Sequence, residues 1–300
     1  MFSQINFIQQ MKISLFIPLF FILGCKQLPD FIVSRENPEI NKSRKATLLS
    51  AFFGLDNAMP QKSIGIWSKA PGKDGIPLVF SHEIDPATLS PNDFEITTQR
   101  GFKLHVVFAS FKPAIEAFEL RTILLIGEFG NAPDDEPKQV EIIGDLKTRD
   151  GQNSKGQIIE VTPLEDGPFM SYAEYFSLDI NYPFREKGAG CDCPKNETKK
   201  VIRVVWAGGV RASNGKELGE KELTSFTITL IQNSDTIKAH PFHLADIDDN
   251  DNNIDLCVKQ KGIPILVEVN GNIAIDPRGD KNSKTKMKVM GRWESDLVHT

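Results

Sequence analysis

The sequence has few cysteines, no excess of basic residues and no apolar run long enough to span a membrane. Four cysteines occur in 300 residues, and 40 acidic side chains against 35 basic ones give a formal net charge of −5. This acidic balance argues against nucleic-acid binding, which requires a basic surface. The sequence also lacks a nucleophile elbow, a phosphate loop and a dinucleotide fingerprint, so no motif indicates a catalytic class.

The first 25 residues have the pattern of an export signal. Lys12 precedes an uncharged apolar run over residues 13–24, which is well short of the roughly 20 residues that a spanning helix requires. The run ends in Ile-Leu-Gly-Cys at residues 22–25, which resembles the lipobox of bacterial lipoproteins. The resemblance implies that the Cys25 thiol receives a diacylglycerol, that the chain is cleaved before it, and that the new amino group is acylated, for instance by palmitate.

This resemblance predicts an address in the cell envelope. Residues 1–24 are then a signal peptide, and the polar residues 25–43, with Pro29 and Pro38, form a tether between lipid and body. Acyl chains anchor strongly, so the membrane is the first predicted partner. The residue after Cys25 is Lys26 and not aspartate, which resembles lipoproteins sorted to the outer membrane. A plain signal peptide and an uncleaved anchor are the alternatives.

The rest of the chain favours short β-strands after one helix. Ser43 is a candidate cap for a short helix over residues 44–55, where Leu48, Phe52 and Leu55 fall on one face. From residue 64, short apolar stretches alternate with turns rich in Gly, Pro, Asn and Asp, and the predicted strands include residues 94–98, 263–269 and 272–275. We therefore predict an all-β (mainly β) protein of two β-sandwich domains, over residues 44–163 and 164–300.

One segment carries a second resemblance. Residues 76–96, IPLVFSHEIDPATLSPNDFEI, resemble the opening of bacterial immunoglobulin-like modules of the surface-layer type. Asp85 and Pro86 set a chain reversal, and Phe94 is expected to anchor the returning strand in the core. The resemblance implies that the two predicted domains are Ig-like, and that such a module serves as a spacer or a binding scaffold.

Three cysteines remain once Cys25 is lipidated. They are Cys191, Cys193 and Cys257, and an odd number permits one disulfide at most. Cys257 is expected to pair with either Cys191 or Cys193. A Cys-x-Cys metal clip is the alternative, although it lacks a second cysteine pair at suitable spacing.

An acidic segment at residues 246–255 is the one candidate ion site. Carboxylates and amides at this density suit a hard cation, and oxygen ligands alone favour Ca²⁺. The candidate ligands are Asp246, Asp248, Asn250, Asp251, Asn253 and Asp255. A solvated acidic loop between two strands is the alternative reading, and a second acidic turn lies at residues 276–280.

These observations favour a non-catalytic binding or structural role at the cell envelope, with a possible protein partner at the cell surface. The alternatives are a secreted hydrolase that uses the acidic loops and a calcium-dependent adhesin. The hydrolase requires the two acidic loops to converge with His240 or His243 at a pocket floor.

Overall fold

The computed structural model describes residues 45–116, 118–178, 192–245 and 249–291. Within these ranges the regular structure consists of β-strands and a few short 3-10 turns, which confirms the all-β prediction. None of the helical turns in these ranges has the length and apolarity needed to cross a membrane. The predicted signal peptide, the predicted lipidation site Cys25, the predicted tether, Cys191, Asp246 and Asp248 lie outside the described residues.

The first eight strands form one continuous sheet. They are, from β1 to β8, Leu48–Phe52, Asp74–Phe80, Phe94–Thr98, Lys103–His105, Phe108–Ser110, Thr122–Gly127, Pro137–Ile142 and Ile158–Thr162. The strand order is β4-β3-β7-β8-β1-β2-β6-β5. β1 lies in the middle of the sheet and joins its two halves, because it pairs antiparallel with β2 and parallel with β8.

Both ends of this sheet enter the same hydrophobic core. Alternate residues of β2, among them Leu78 and Phe80, pack in one cluster with Phe94 and Ile96 of β3. The sheet therefore folds over on itself, so that strands far apart in the strand order face each other. Burying each of these side chains contributes roughly 1.5–3 kcal/mol.

The turn chemistry predicted for this region is present. The Asp85 side chain accepts a hydrogen bond from the Ala87 N–H and caps the 3-10 turn that begins at Pro86. Ser90 and Asp93 form a capping box at the next turn. β3 starts directly afterwards at Phe94, which is 1% exposed.

The predicted helix over residues 44–55 is wrong, because these residues contribute the strand β1. Leu48 lies opposite Phe80, and Ala51 lies between Leu78 and Val161. β1 has a neighbouring strand on each side, and four of its five residues are apolar. Strands that are buried on both faces are typically apolar along most of their length. Such a run cannot be distinguished by periodicity from one face of a short helix.

The remaining nine strands form two further sheets. They are, from β9 to β17, Met170–Phe176, Lys200–Trp206, Phe226–Gln232, Asp235–Ala239, His243–Ala245, Asn253–Val258, Ile263–Val269, Thr285–Lys288 and Met290–Gly291. One sheet has the order β13-β14-β10-β9-β17 and the other the order β12-β11-β15-β16. Ile202, Val204 and Trp206 of β10 pack in one core with Ile228 and Leu230 of β11, so the two sheets form a sandwich.

A disulfide between Cys193 and Cys257 closes a loop in this second half. It settles the pairing that the sequence left open between Cys191 and Cys193. Cys193 precedes β10 by seven residues, and Cys257 lies within β14, the strand next to β10. Both cysteines are buried with Phe176 and Val201 in a small cluster on the outer face of the five-stranded sheet.

Removing this disulfide should destabilise the protein. The two cysteines are 64 residues apart, and a crosslink across a loop of that length stabilises by about 4 kcal/mol through the entropy of the unfolded chain. The Cys193→Ser/Cys257→Ser variant should therefore unfold at lower urea concentration, as followed by tryptophan fluorescence. Cys191→Ser is the matched control and should unfold like the wild type. Equal midpoints for all three proteins would contradict the prediction.

Candidate functional site

A row of charged side chains crosses the outer face of the five-stranded sheet. Arg203 of β10 lies between Glu174 of β9 and Asp255 of β14 in the strand register. Because side chains alternate along a strand, Ile202 and Val204 enter the sandwich core while Arg203 faces the opposite side. All three charged residues are buried, so something must cover this face.

The cover comes from the first half of the chain, just before β6. Arg203 donates from Nε and Nη2 to the two carboxylate oxygens of Asp255, at 2.8 and 2.9 Å. Its Nη1 donates to Oε1 of Glu119 at 3.1 Å. Glu119 and Arg203 are both fully buried. The guanidinium is thus held by one carboxylate of its own sheet and by one from the first half.

A second buried ion pair lies beside the first. In this pair the arginine comes from the first half of the chain and the carboxylate from the five-stranded sheet. Arg121 of the first half donates to the carboxylate of Glu174 at 3.3 Å, and its guanidinium lies 4.4 Å from the centre of the Tyr172 ring. Phe118 packs nearby against Phe176. The residues just before β6 are therefore fixed to the outer face of the five-stranded sheet by ion pairs and by aromatic packing.

This network fixes geometry more than it adds free energy. Taking charges out of water is expensive, and a buried ion pair often does no better than a pair of apolar side chains. Removing one partner is nevertheless strongly destabilising, because the other charge stays buried without compensation. Residues 118–122 contact both charges of the sheet, because Glu119 accepts from Arg203 and Arg121 donates to Glu174.

Replacing Arg203 with methionine should lower the free energy of unfolding by about 3–5 kcal/mol, because Glu119 and Asp255 lose their shared cation. The measurement is urea unfolding followed by tryptophan fluorescence. Lys103→Met is the matched control, since Lys103 pairs with Glu95 but its side chain is 65% exposed. That exposed pair should contribute nothing measurable, and equal losses in the two variants would refute the role of burial.

The acidic loop leads directly into β14, the strand that carries Asp255. Oδ1 of Asp249 accepts the N–H of Asp251 at 3.2 Å, and Oδ1 of Asp251 accepts the N–H of Asn253 at 2.7 Å. The amide nitrogen of Asn253 donates to the other Asp251 oxygen at 2.9 Å. Oδ2 of Asp249 and Oδ1 of Asn253 are buried without a hydrogen-bond partner.

The electrostatics of this loop are unfavourable for two negative charges. Burial raises the pKa of Asp251 above the usual range for aspartate, and the neighbouring charge of Asp249 raises it further. Burial also raises the pKa of Asp249, with a contribution from Glu217. The charge of Arg203 opposes both shifts, but its hydrogen bonds go to other carboxylates.

The same loop contacts the first half of the chain. Lys62 donates from Nζ to Oδ1 of Asn250 at 2.6 Å, and the Arg211 guanidinium donates to the same oxygen. Asn252 is buried and donates to the Thr122 hydroxyl at 3.1 Å and to the Trp206 carbonyl at 2.6 Å. Residues 250 and 252 thus join the loop to β6 and to the turn around residue 62.

The structure separates the predicted calcium ligands into different environments. Asp255 is engaged with Arg203 through both oxygens, and Asn250 accepts hydrogen bonds from two cations. Asp251 and Asn253 face each other next to Asp249, which the sequence analysis did not include among the ligands. Among the described residues no group of three or more His, Cys, Asp or Glu side chains is arranged to hold a metal.

The second acidic turn is organised by its first residue. Oδ1 of Asp276 accepts the backbone N–H groups of Arg278, Gly279 and Asp280 at 2.9 Å each. Gly279 has a positive φ of 98°, which glycine adopts without strain. The Arg278 and Asp280 side chains pair with each other at 3.3 Å.

The histidines required by the hydrolase hypothesis have backbone partners of their own. Nδ1 of His240 lies 2.5 Å from the Phe226 carbonyl, at the start of β11. His243 pairs with Cys257, four residues along β14 from Asn253. At about 3.3 Å per residue that places His243 roughly 13 Å along the strand from the acidic loop.

Sequence reasoning missed the charged network, and only part of it carries a signal. A lone arginine within the apolar run VIRVVW (residues 201–206) indicates a charge that needs a buried partner. Asp255 lies in a predicted strand and is its cross-strand partner. Glu119 and Arg121 come from far away in sequence, just before and at the start of the apolar run at residues 121–129, and nothing in that run identifies their partners.

Comparisons with known proteins give only distant similarities. No family model matches the chain, and neither does any curated protein. The N-terminal part of the bacterial S-layer protein SbsC is similar over 83% of this chain and 45% of its own length, with 13% identity and a TM-score of 0.28. A structure of SbsC domains 1–6 gives 10% identity over 83% and 41% of the two chains, at the same TM-score.

The native conformation of E. coli alpha-2-macroglobulin is similar over 82% of this chain and 19% of its own length, with 12% identity and a TM-score of 0.24. This chain therefore spans less than half the length of each of these structures. Similarity at these scores does not assign the chain to a family.

Proposed function

We propose that this protein is a lipid-anchored, non-catalytic component of the bacterial cell envelope, whose β body serves as a structural or partner-binding scaffold. The observation that carries the proposal is the buried network around Arg203. The charged side chains gathered there hold one part of the chain against another and pair with each other, away from solvent. This arrangement supports a rigid body more than a reactive centre.

The anchoring part of the proposal is supported by the sequence of the leader. The apolar run over residues 13–24 and the Ile-Leu-Gly-Cys motif together resemble a lipoprotein signal. Lys26, in the position after the cysteine, favours the outer membrane. Residues 25–43 then act as a tether that separates the β body from the lipid surface.

The disulfide is an independent argument for export. Disulfides form and persist in oxidising compartments such as the bacterial periplasm or cell surface. Cys193 and Cys257 are both buried and bonded within the β body. A buried disulfide in a bacterial protein therefore supports a place beyond the inner membrane.

Lipidation of Cys25 is the test of this proposal. Cells that express the full chain with radiolabelled palmitate should yield a labelled protein that partitions into detergent, and mass spectrometry of its N-terminal peptide should show a modified Cys25. Cys25→Ala should abolish the label and leave a longer, uncleaved chain.

Cys191→Ala is the control for this experiment and should keep the label, because only the cysteine at the cleavage point is acylated. An unmodified thiol at residue 25 in the wild-type protein, or labelling that persists in Cys25→Ala, would overturn the proposed anchor.

A further inference from the structure

We propose that copies of this chain associate head to tail, with the four-stranded sheet of one copy against the eight-stranded sheet of the next. The surface used on the first copy is the outer side of β11, β12, β15 and β16, called the lysine face here. The surface used on the second is the outer side of β3, β4, β7 and β8, called the glutamate face. The inference rests on the proposed scaffold role, for which it names a partner, but not on the lipid anchor, which the Cys25 experiment tests separately.

The alternation of side chains defines the lysine face. Ile228 and Leu230 of β11 enter the sandwich core, so Thr229 and Ile231 lie on the outer side. The register adds the charged and apolar residues next to them, which are Lys238 of β12, Ile263 and Glu268 of β15, and Lys286 and Lys288 of β16. Three lysines against one glutamate make this face basic, although the whole chain has a formal net charge of −5.

The glutamate face is defined in the same way. Val140 and Ile142 of β7 enter the core of the first half, so Gln139 and Glu141 lie outside. The register adds their neighbours, which are Lys103 and His105 of β4, Glu95 of β3, and Ile158 and Glu160 of β8. Three glutamates stand against one lysine among these residues. The two faces are therefore opposite in charge.

The charges also match in spacing. Lys286 and Lys288 are two residues apart on one side of β16, a distance of about 7 Å. Glu160 is the diagonal neighbour of Glu141 across β7 and β8, and such neighbours are about 7–8 Å apart. Each of the two lysines of one copy can therefore pair with one glutamate of the next copy.

A cation from a second copy also relieves a repulsion within the glutamate face. Glu95 lies directly opposite Glu141 in the register of β3 and β7. Like charges in that position destabilise a sheet. Lys103 pairs with Glu95 at 2.5 Å from the other side. A lysine of the next copy would compensate Glu141 in the same way.

Isoleucines are exposed on both faces. The described residues expose eight large hydrophobic side chains, and five of them belong to these two regions, namely Ile143, Ile158, Ile231, Ile263 and Ile265. Ile231 and Ile263 lie directly opposite each other, and Ile265 follows at the bulge in β15. Clustered exposed apolar side chains mark interaction surfaces. Their burial supplies affinity, while the charges select the partner and its orientation.

Contact between two different faces leaves one face free on each end of a pair. Association of this kind continues into chains or closes into rings. A contact of four strands is at the small end of protein interfaces, so we expect a dissociation constant in the micromolar range. The wild type should therefore form species larger than dimers in a concentration-dependent way.

Charge reversal tests the pairing of the two faces. Lys286→Glu/Lys288→Glu reverses the lysine face, and Glu141→Lys/Glu160→Lys reverses the glutamate face. The full chain in nonionic detergent is immobilised for biolayer interferometry, with a second sample of full chain in solution. Wild type should bind wild type with a dissociation constant between about 1 and 200 μM, and each variant should bind itself at least about tenfold more weakly. A mixture of the two variants should bind like the wild type, because it retains one unaltered lysine face and one unaltered glutamate face.

Two controls accompany the measurement. Lys69→Glu/Lys216→Glu makes the same change in net charge at exposed positions outside both faces, and this variant should bind itself like the wild type. Raising NaCl from 50 to 500 mM should weaken binding of the wild type to itself at least about tenfold, since salt screens exposed charges. Unchanged melting temperatures verify that the variants are folded.

Several results would overturn the proposal. One is a wild type that does not bind itself up to about 200 μM. Another is a mixture of the two reversed variants that binds no more tightly than either variant binds itself. A third is a wild type that does not self-associate while Lys286→Glu/Lys288→Glu loses binding to phosphatidylglycerol vesicles, which would assign the lysine face to a membrane surface.

Discussion

The architecture of the second half depends on the burial of one guanidinium in the middle of a sheet. Arg203 is fully buried at the centre of β10, with a strand on either side. A charge in that position is untenable without several partners, since burial removes its hydration. β14 supplies Asp255 and the first half supplies Glu119. The charged outer face of the sheet is therefore shielded from water and fully paired only when residues 118–122 cover it.

This requirement explains why the two faces of one sheet differ in composition. The inner face, with Ile202, Val204 and Leu256, packs against the four-stranded sheet through a cluster of hydrophobic side chains. The outer face combines charged residues with the apolar cluster around Phe118 and the disulfide. Apolar packing is non-directional and tolerates small displacements, whereas the charged hydrogen bonds from Arg203 to Glu119 and from Arg121 to Glu174 are directional. The outer face thereby sets the position of residues 118–122.

The parts of the fold that local sequence specifies were predicted well. β3 and β15 have the predicted limits, because turn residues such as Pro91 and Gly262 mark their starts and their side chains alternate. β1 was predicted as a helix because its partners, β2 and β8, lie up to 110 residues away and leave no local trace. The predicted strand at residues 272–275 is not a regular strand in the structure, where Ile275 makes isolated bridges to Arg211 and to Lys281.

The sequence singles out the acidic segment but does not assign a role to each of its residues. The density of carboxylates marks residues 246–255, yet the sequence cannot show that Asp255 has a fixed cation and that Asp249 and Asp251 do not. The difference arises from placement. Asp255 lies within β14, where the register puts it opposite Arg203. Asp249 and Asp251 precede that strand, beyond the reach of the same guanidinium's hydrogen bonds.

Asp255 lies in a strand, whereas Asp249 and Asp251 lie in the loop before it, and this difference determines how each carboxylate responds to pH. A carboxylate paired with an arginine in a strand keeps its partner for as long as the protein is folded. The loop carboxylates of Asp249 and Asp251 have no arginine hydrogen-bonded to them, and burial raises the pKa of both, so they take up a proton more readily than an exposed aspartate does. The same loop also holds Lys62 and Thr122, so its state bears on the contact between the two halves.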